Sequence, residues 1–182
     1  MRRIPWLLII FRLAAGPGIL LLAMAGQTLS CAGLLILGVL SDIFDGVIAR
    51  RLGVATVALR TWDSRADVLF WVSTFIAVAV ARPTLIPLLW PLALTIALLE
   101  VGNHLVSLAR FRREASPHHY LSKLFGLGLC VLCAQAFLSG DIQITAWAVF
   151  VIGVLSQIEA LAITLRLKSW RCDVPSVLTL KA

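Results

Sequence analysis

Apolar runs about 20 residues long recur along the whole chain, and the polar residues gather in the short stretches between them. The pattern predicts helices over 6–25, 30–50, 65–82, 86–108, 122–140 and 143–165. Each run is long enough to cross a hydrocarbon core of roughly 30 Å. No segment between the runs is long or mixed enough for a soluble domain, and no internal repeat or linker divides the chain. The reading is therefore an all-α integral membrane protein, a bundle of six transmembrane helices forming one domain over 1–182. The first run follows Arg2 and Arg3, as a secretory signal would. Because it contains Arg12 and Pro17 and no clear small-residue cleavage site follows, it is expected to remain as mature structure.

Composition strengthens this picture. Hydrophobic residues make up 60% of the chain and charged residues 14%, with a mean hydropathy of +0.98, far from the balance of soluble domains. The net charge of +7 matters less than where the charges stand. Arg2 and Arg3, Arg50, Arg51, Arg60 and Arg65, Arg110, Arg112, Arg113 and Lys123, and Arg166, Lys168, Arg171 and Lys181 fall on one side of a six-span layout, with Arg82 alone on the other. The positive-inside rule then puts both termini and the polar connections in the cytoplasm, in a bacterial-type inner membrane. Basic residues there attract anionic membrane lipids, and a nucleic-acid partner is excluded for want of a soluble reader. Cys31, Cys130, Cys133 and Cys172 read as small packing residues, since the C-x-x-C pair lies within an apolar run without a histidine at metal-ligand spacing.

The chemistry concentrates in SDIFDGVIARRLGVATVALRTWDSRADVLF, residues 41–70. Asp42 and Asp45 are three positions apart and Asp63 and Asp67 four, so each pair shares a helix face. The short connection predicts antiparallel neighbouring helices with both pairs at one membrane depth. Four carboxylates so placed repel one another, and a divalent cation relieves the conflict. Oxygen-only ligands favour Mg²⁺, Mn²⁺ or Ca²⁺ over zinc, and two metals held this way can grip a diphosphate. The alternative, solvated caps paired with Arg50, Arg51, Arg60 and Arg65, is disfavoured because Asp45 and Asp67 reach into apolar sequence. Gly46 and Ala49 leave room for a flat ligand at the helix backbone or for close helix packing. Arg50 is positioned to meet a phosphate or to anchor the interface.

These residues spell D-x2-D-G-x2-A-R followed by x12-D-x3-D. The string resembles the signature of the CDP-alcohol phosphotransferase (CDP-alcohol phosphatidyltransferase) family, D-x2-D-G-x2-A-R-x8-G-x3-D-x3-D, at seven of its eight positions. RIPWLLIIFRLAAGP at 3–17 and residues 116–126 are similar to the family more weakly. The resemblance implies transfer of a substituted phosphate from a CDP-linked lipid such as CDP-diacylglycerol to an alcohol acceptor, releasing CMP, in phospholipid biosynthesis. It implies a two-metal site of Mg²⁺ or Mn²⁺ on Asp42, Asp45, Asp63 and Asp67, with Asp67 also the general base. Asp42, Gly46, Ala49, Arg50 and the residue at position 59 would border the nucleotide, and the protein would be a homodimer. The departure is Leu59, where the family has its second glycine. A branched side chain there narrows the pocket or forces the loop outward, leaving an active enzyme with a relaxed pocket, one for another donor, or a protein that binds without turnover.

Glu100, Asn103, His104 and Ser107 recur along one face of the fourth run and either line a cavity or tie helices together. Arg110, Arg112, Arg113, His118 and Lys123 are candidates for an acceptor phosphate such as that of glycerol 3-phosphate, against the plainer reading of a basic cytoplasmic loop. Two other classes stay open: a divalent-cation carrier using the aspartates, and a catalytically silent lipid-binding membrane protein.

Overall fold

A computed structural model describes residues 4–52, 57–113, 119–170 and 174–180, the side chains at 45, 46, 49–52, 57, 58, 60, 61 and 64 excepted. Among the described residues the regular structure is entirely helical. The helices are α1 (Ile4–Met24), α2 (Thr28–Leu52), α3 (Val57–Ala81), α4 (Ile86–Phe111), α5 (Tyr120–Leu138) and α6 (Gln143–Arg166), with 3₁₀ turns at Pro83–Leu85 and Val177–Thr179. Among the described residues, four stretches are long and apolar enough to cross a membrane: Ile4–Met24, Pro83–Phe111, Tyr120–Leu138 and Gln143–Arg166. The apolar part of α2, Thr28–Phe44, is shorter, because the helix continues into the acidic and basic residues of the signature. Leu7, Leu21, Leu29, Leu98, Leu105 and Ile144 point outward and exposed, a surface suited to lipid rather than water.

The chain divides into two compact units, Met1–Ile86 with Cys133–Asp141, and Pro87–Leu132 with Ile142–Ala182. In the first, α1 packs along both α2 and α3, while α2 and α3 touch each other only sparingly among the described residues. α1 thus joins the expected neighbouring pair as a third member. The turn from α1 to α2 is made by Gly26 at φ 71°. There Gln27 N–H donates to Leu22 O and Gly26 N–H to Ala23 O, the paired bonds that close a helix on a left-handed glycine.

Glycines set how near the three helices come. An added Cβ at Gly16 of α1 would lie 2.9 Å from the Phe70 Cα on α3, and one at Gly38 of α2 would lie 2.3 Å from the Phe70 ring. Phe70, 1% exposed, therefore wedges into the room that the two glycines leave. Ser41 donates to Gly38 O at 2.6 Å and Thr74 to Phe70 O at 2.8 Å, so the hydroxyls near the wedge are satisfied within their own helices. At the far end, Arg82 donates to Ala136 O and Phe137 O, 3.2 Å each, capping carbonyls at the end of α5.

The second unit is organised by α6, which buries Ala146, Val149, Gly153, Ser156, Gln157, Ala160, Ile163 and Thr164, a helical-period stripe of mostly small residues. Gly153 receives the Phe125 ring and Ile96, and Gly128 receives Val149. The polar face of α4 joins this stripe: Asn103 Nδ2 donates to Gln157 O at 3.0 Å and to its Oε1 at 2.6 Å, and Gln157 Nε2 donates to Glu100. The C-terminal segment is strapped down at Glu159. That carboxylate accepts from Ser176 Oγ at 2.7 Å and Val177 N–H at 3.2 Å and lies 3.1 Å from His119 Nδ1. Tyr120 N–H donates to Pro175 O.

If the Phe70 wedge fixes the trio, Gly16→Leu costs about 1–3 kcal/mol through overpacking against backbone and lowers the melting temperature in detergent. Gly33 faces open space, so Gly33→Ala is neutral or slightly stabilising, by up to about 1 kcal/mol. Equal effects of the two substitutions would refute the wedge.

Candidate metal centre

One helical turn from the wedge, the same three helices carry the charges. Arg12 precedes Gly16 by four residues on α1, Asp42 follows Gly38 by four on α2, and Asp67 precedes Phe70 by three on α3. The packing that seats Phe70 thereby brings these side chains together. Arg12 is 1% exposed, and its guanidinium pairs with Asp42 and Asp67 through Nη1 and with Asp63 through Nη2. The carboxylates themselves are about a third to nearly half exposed, so the cluster opens on one side. Asp63 and Asp67 reach it from successive turns of one helix.

One oxygen from each of Asp42, Asp63 and Asp67 can be chosen so that all lie within 4.8 Å of one another. Oxygens opposite each other across a bound Mg²⁺ are about 4 Å apart, so the cluster stands near ligand spacing. Three acidic side chains gather at this point, and the donors are hard oxygens alone. The residues fit a small divalent cation.

Of the residues expected in the site, Asp42, Asp63 and Asp67 converge. The side chains of Asp45, Gly46, Ala49 and Arg50 lie outside the described residues, although α2 runs through their positions, and His118 lies outside them as well. Leu59 is in α3, not in a loop. Its buried side chain packs with Ile9 and Ala66, and Leu13 covers them, so the leucine's bulk is taken up against α1 beside Arg12.

The acceptor candidates belong to the other unit and are engaged there separately. Arg110 donates to Leu167 O at 3.2 Å, Arg113 stacks 5.0 Å from the Trp170 ring, and Lys123 lies 5.8 Å from the Tyr120 ring. Arg112 takes φ 53° at the end of α4, a bend held by Ser107 Oγ donating to Arg113 O at 2.9 Å. Arg12 itself was not expected in the site. Its signal was present as an arginine in the middle of an apolar run, a placement that in membranes calls for a partner.

Comparison with known families decides the matter of kinship: the CDP-alcohol phosphatidyltransferase profile matches residues 2–165. The chain belongs to the CDP-alcohol phosphatidyltransferase family. No curated protein and no solved structure matches the chain. The matched region contains α1 to α5 and nearly all of α6. Both the aspartates and Arg12 therefore lie within the CDP-alcohol phosphatidyltransferase region, in a family that is metal-dependent.

Removing one carboxylate lowers the negative charge that attracts a dication. Asp63→Asn is expected to weaken Mn²⁺ binding about tenfold or more, read from the free-Mn²⁺ paramagnetic signal in titrations of the purified protein. Unchanged affinity would remove Asp63 from the centre.

Proposed function

We propose that this protein transfers a phosphatidyl group from CDP-diacylglycerol or a similar CDP-linked lipid to a small alcohol, with release of CMP. The observation that carries the reading is the convergence of Asp42, Asp63 and Asp67 around one point within a chain of this family. In the transfer, the acceptor oxygen forms a bond to the lipid-linked phosphorus as the bond from that phosphorus to the CMP oxygen breaks. Asp67 takes the proton of the acceptor hydroxyl, and CMP leaves with the electron pair. Asp42, Asp45, Asp63 and Asp67 hold Mg²⁺ or Mn²⁺, which when bound withdraws charge from the diphosphate and stabilises the departing oxygen. Gly46, Ala49 and Arg50 border the nucleotide.

The acceptor in this reading is an alcohol phosphate, glycerol 3-phosphate first among them, with Arg110, Arg112, Arg113, His118 and Lys123 as candidates for its phosphate. All six helices span the membrane, with both termini and the aspartates on the cytoplasmic side of an inner membrane. The protein works as a homodimer. A lipid donor presents its tails to the hydrocarbon and its diphosphate to the polar boundary, which matches aspartates placed at the ends of apolar helices.

The test is incubation of the purified protein with CDP-diacylglycerol, Mg²⁺ or Mn²⁺ and a panel of alcohols, following CMP and lipid product. Asp67→Asn should cut CMP release by roughly 10²–10⁴-fold, the range of general-base contributions, with the melting temperature near that of the parent. Folded parent protein that releases no CMP with any donor or acceptor would overturn the proposal in favour of a silent lipid-binding role.

Leu59→Gly restores the family pattern but empties a packed position. It should lower stability by about 2–5 kcal/mol. If the leucine also crowds the nucleotide, the KM for CDP-diacylglycerol falls in the same variant, and an unchanged KM would confine Leu59 to packing.

A further inference from the structure

We infer that Arg12 is a built-in counter-cation of the carboxylate centre, which a divalent metal must displace from the same oxygens in order to bind. In this role Arg12 sets how tightly the centre holds metal, and it keeps α1, α2 and α3 together while the metal is away. The inference rests on the reading of the aspartates as metal ligands.

Three observations carry it. The guanidinium touches one oxygen of each of the three carboxylates that together have ligand spacing, so it already stands among the groups that a metal would bind. Its side chain is buried in α1, where an arginine without anions would be costly. And a guanidinium does not escape that cost by losing its proton, as a lysine can, so it remains a cation at every working pH. A metal and a guanidinium sharing the same oxygens would sit within a few ångströms of each other and repel. Binding of the one therefore requires withdrawal of the other, and the carboxylates are neutralised in turn by a tethered charge and by a soluble one. Arg12 is a positioning residue in this account, acting through Asp42, Asp63 and Asp67 rather than on the lipid.

The deciding experiment uses the full chain in detergent with Mn²⁺ alone, without donor or acceptor. Arg12→Met is expected to bind Mn²⁺ at least about tenfold more tightly than the parent, because one competing charge has gone. Arg12→Lys, which keeps the charge, should stay close to the parent. In EDTA the methionine variant should melt below the parent, and saturating Mn²⁺ should close most of that gap. If Arg12→Met does not fold, the parent itself is probed with phenylglyoxal, which modifies accessible guanidinium groups. Arg12 should be protected in EDTA and become modified as Mn²⁺ saturates, as mapped by mass spectrometry.

Equal or weaker Mn²⁺ affinity in Arg12→Met, or labelling of Arg12 that does not respond to Mn²⁺, would overturn the inference. Absence of Mn²⁺ binding by both parent and variant would do so too. The transferase reading is judged separately, by CMP release from the parent protein. An active parent with an Mn²⁺-insensitive Arg12 would sink the counter-cation alone, and an inactive parent with tighter binding in Arg12→Met would leave it standing.

Discussion

Like charges cannot be collected at the ends of apolar helices unless something of opposite sign stands among them. Here that requirement is met by Arg12, and it determines the arrangement of the first unit. The aspartates come from α2 and α3, yet among the described residues those helices touch only sparingly, and α1 packs along both. What looks in sequence like a hairpin carrying a metal site is a trio in which the helix without acids supplies the cation. The ion pairs join residues 30, 51 and 55 positions apart, so they close the unit as well as balance it.

A charge cluster alone does not define such a geometry, because Coulomb attraction is weakly directional and partly exposed carboxylates can turn towards water. The definition comes from the apolar layer one turn away. Phe70 fills the space above Gly16 and Gly38, and a helix backbone fixed there fixes the direction of Arg12, Asp42 and Asp67 on the adjoining turns. Steric fit sets the frame and electrostatics selects the side-chain arrangement within it. Each supports the other: a larger residue at Gly16 would disturb the frame that aims the acids, and loss of Arg12 would leave them repelling one another.

Much of this was open to reading in the sequence, and the rest was hidden for definite reasons. Runs of apolar residues locate α1, α4, α5 and α6 because length and hydropathy are one-dimensional properties. The spacing of Asp63 and Asp67 fixes a shared face because helical periodicity is local. The partner of those acids is not local. Nothing near Arg12 in the chain says which of the acidic residues dozens of positions away will meet it, and an arginine after a basic amino end also fits an interfacial anchor. Leu59 was legible as a departure from a pattern but not as a packing residue, since its neighbours Ile9 and Leu13 come from another helix. Likewise the stripe of small residues on α6 is visible in the letters, but only the placement of Phe125 and Val149 against Gly153 and Gly128 gives it a use.

The two units resolve their buried polarity by different means, and the difference bears on chemistry. In the second unit, Asn103, Gln157 and Glu100 satisfy one another through hydrogen bonds, and Glu159 is occupied by Ser176, Val177 and the neighbouring His119. Networks of that kind hold helices together and have no strong appetite for a further ligand. In the first unit three carboxylates converge on the guanidinium of Arg12 and stay partly exposed. A partly exposed group of carboxylates near ligand spacing is where a soluble cation, and with it an anionic diphosphate, gains most by binding. The same gathering of like charges that would make the cluster a poor stabilising element makes it a suitable centre for phosphoryl chemistry.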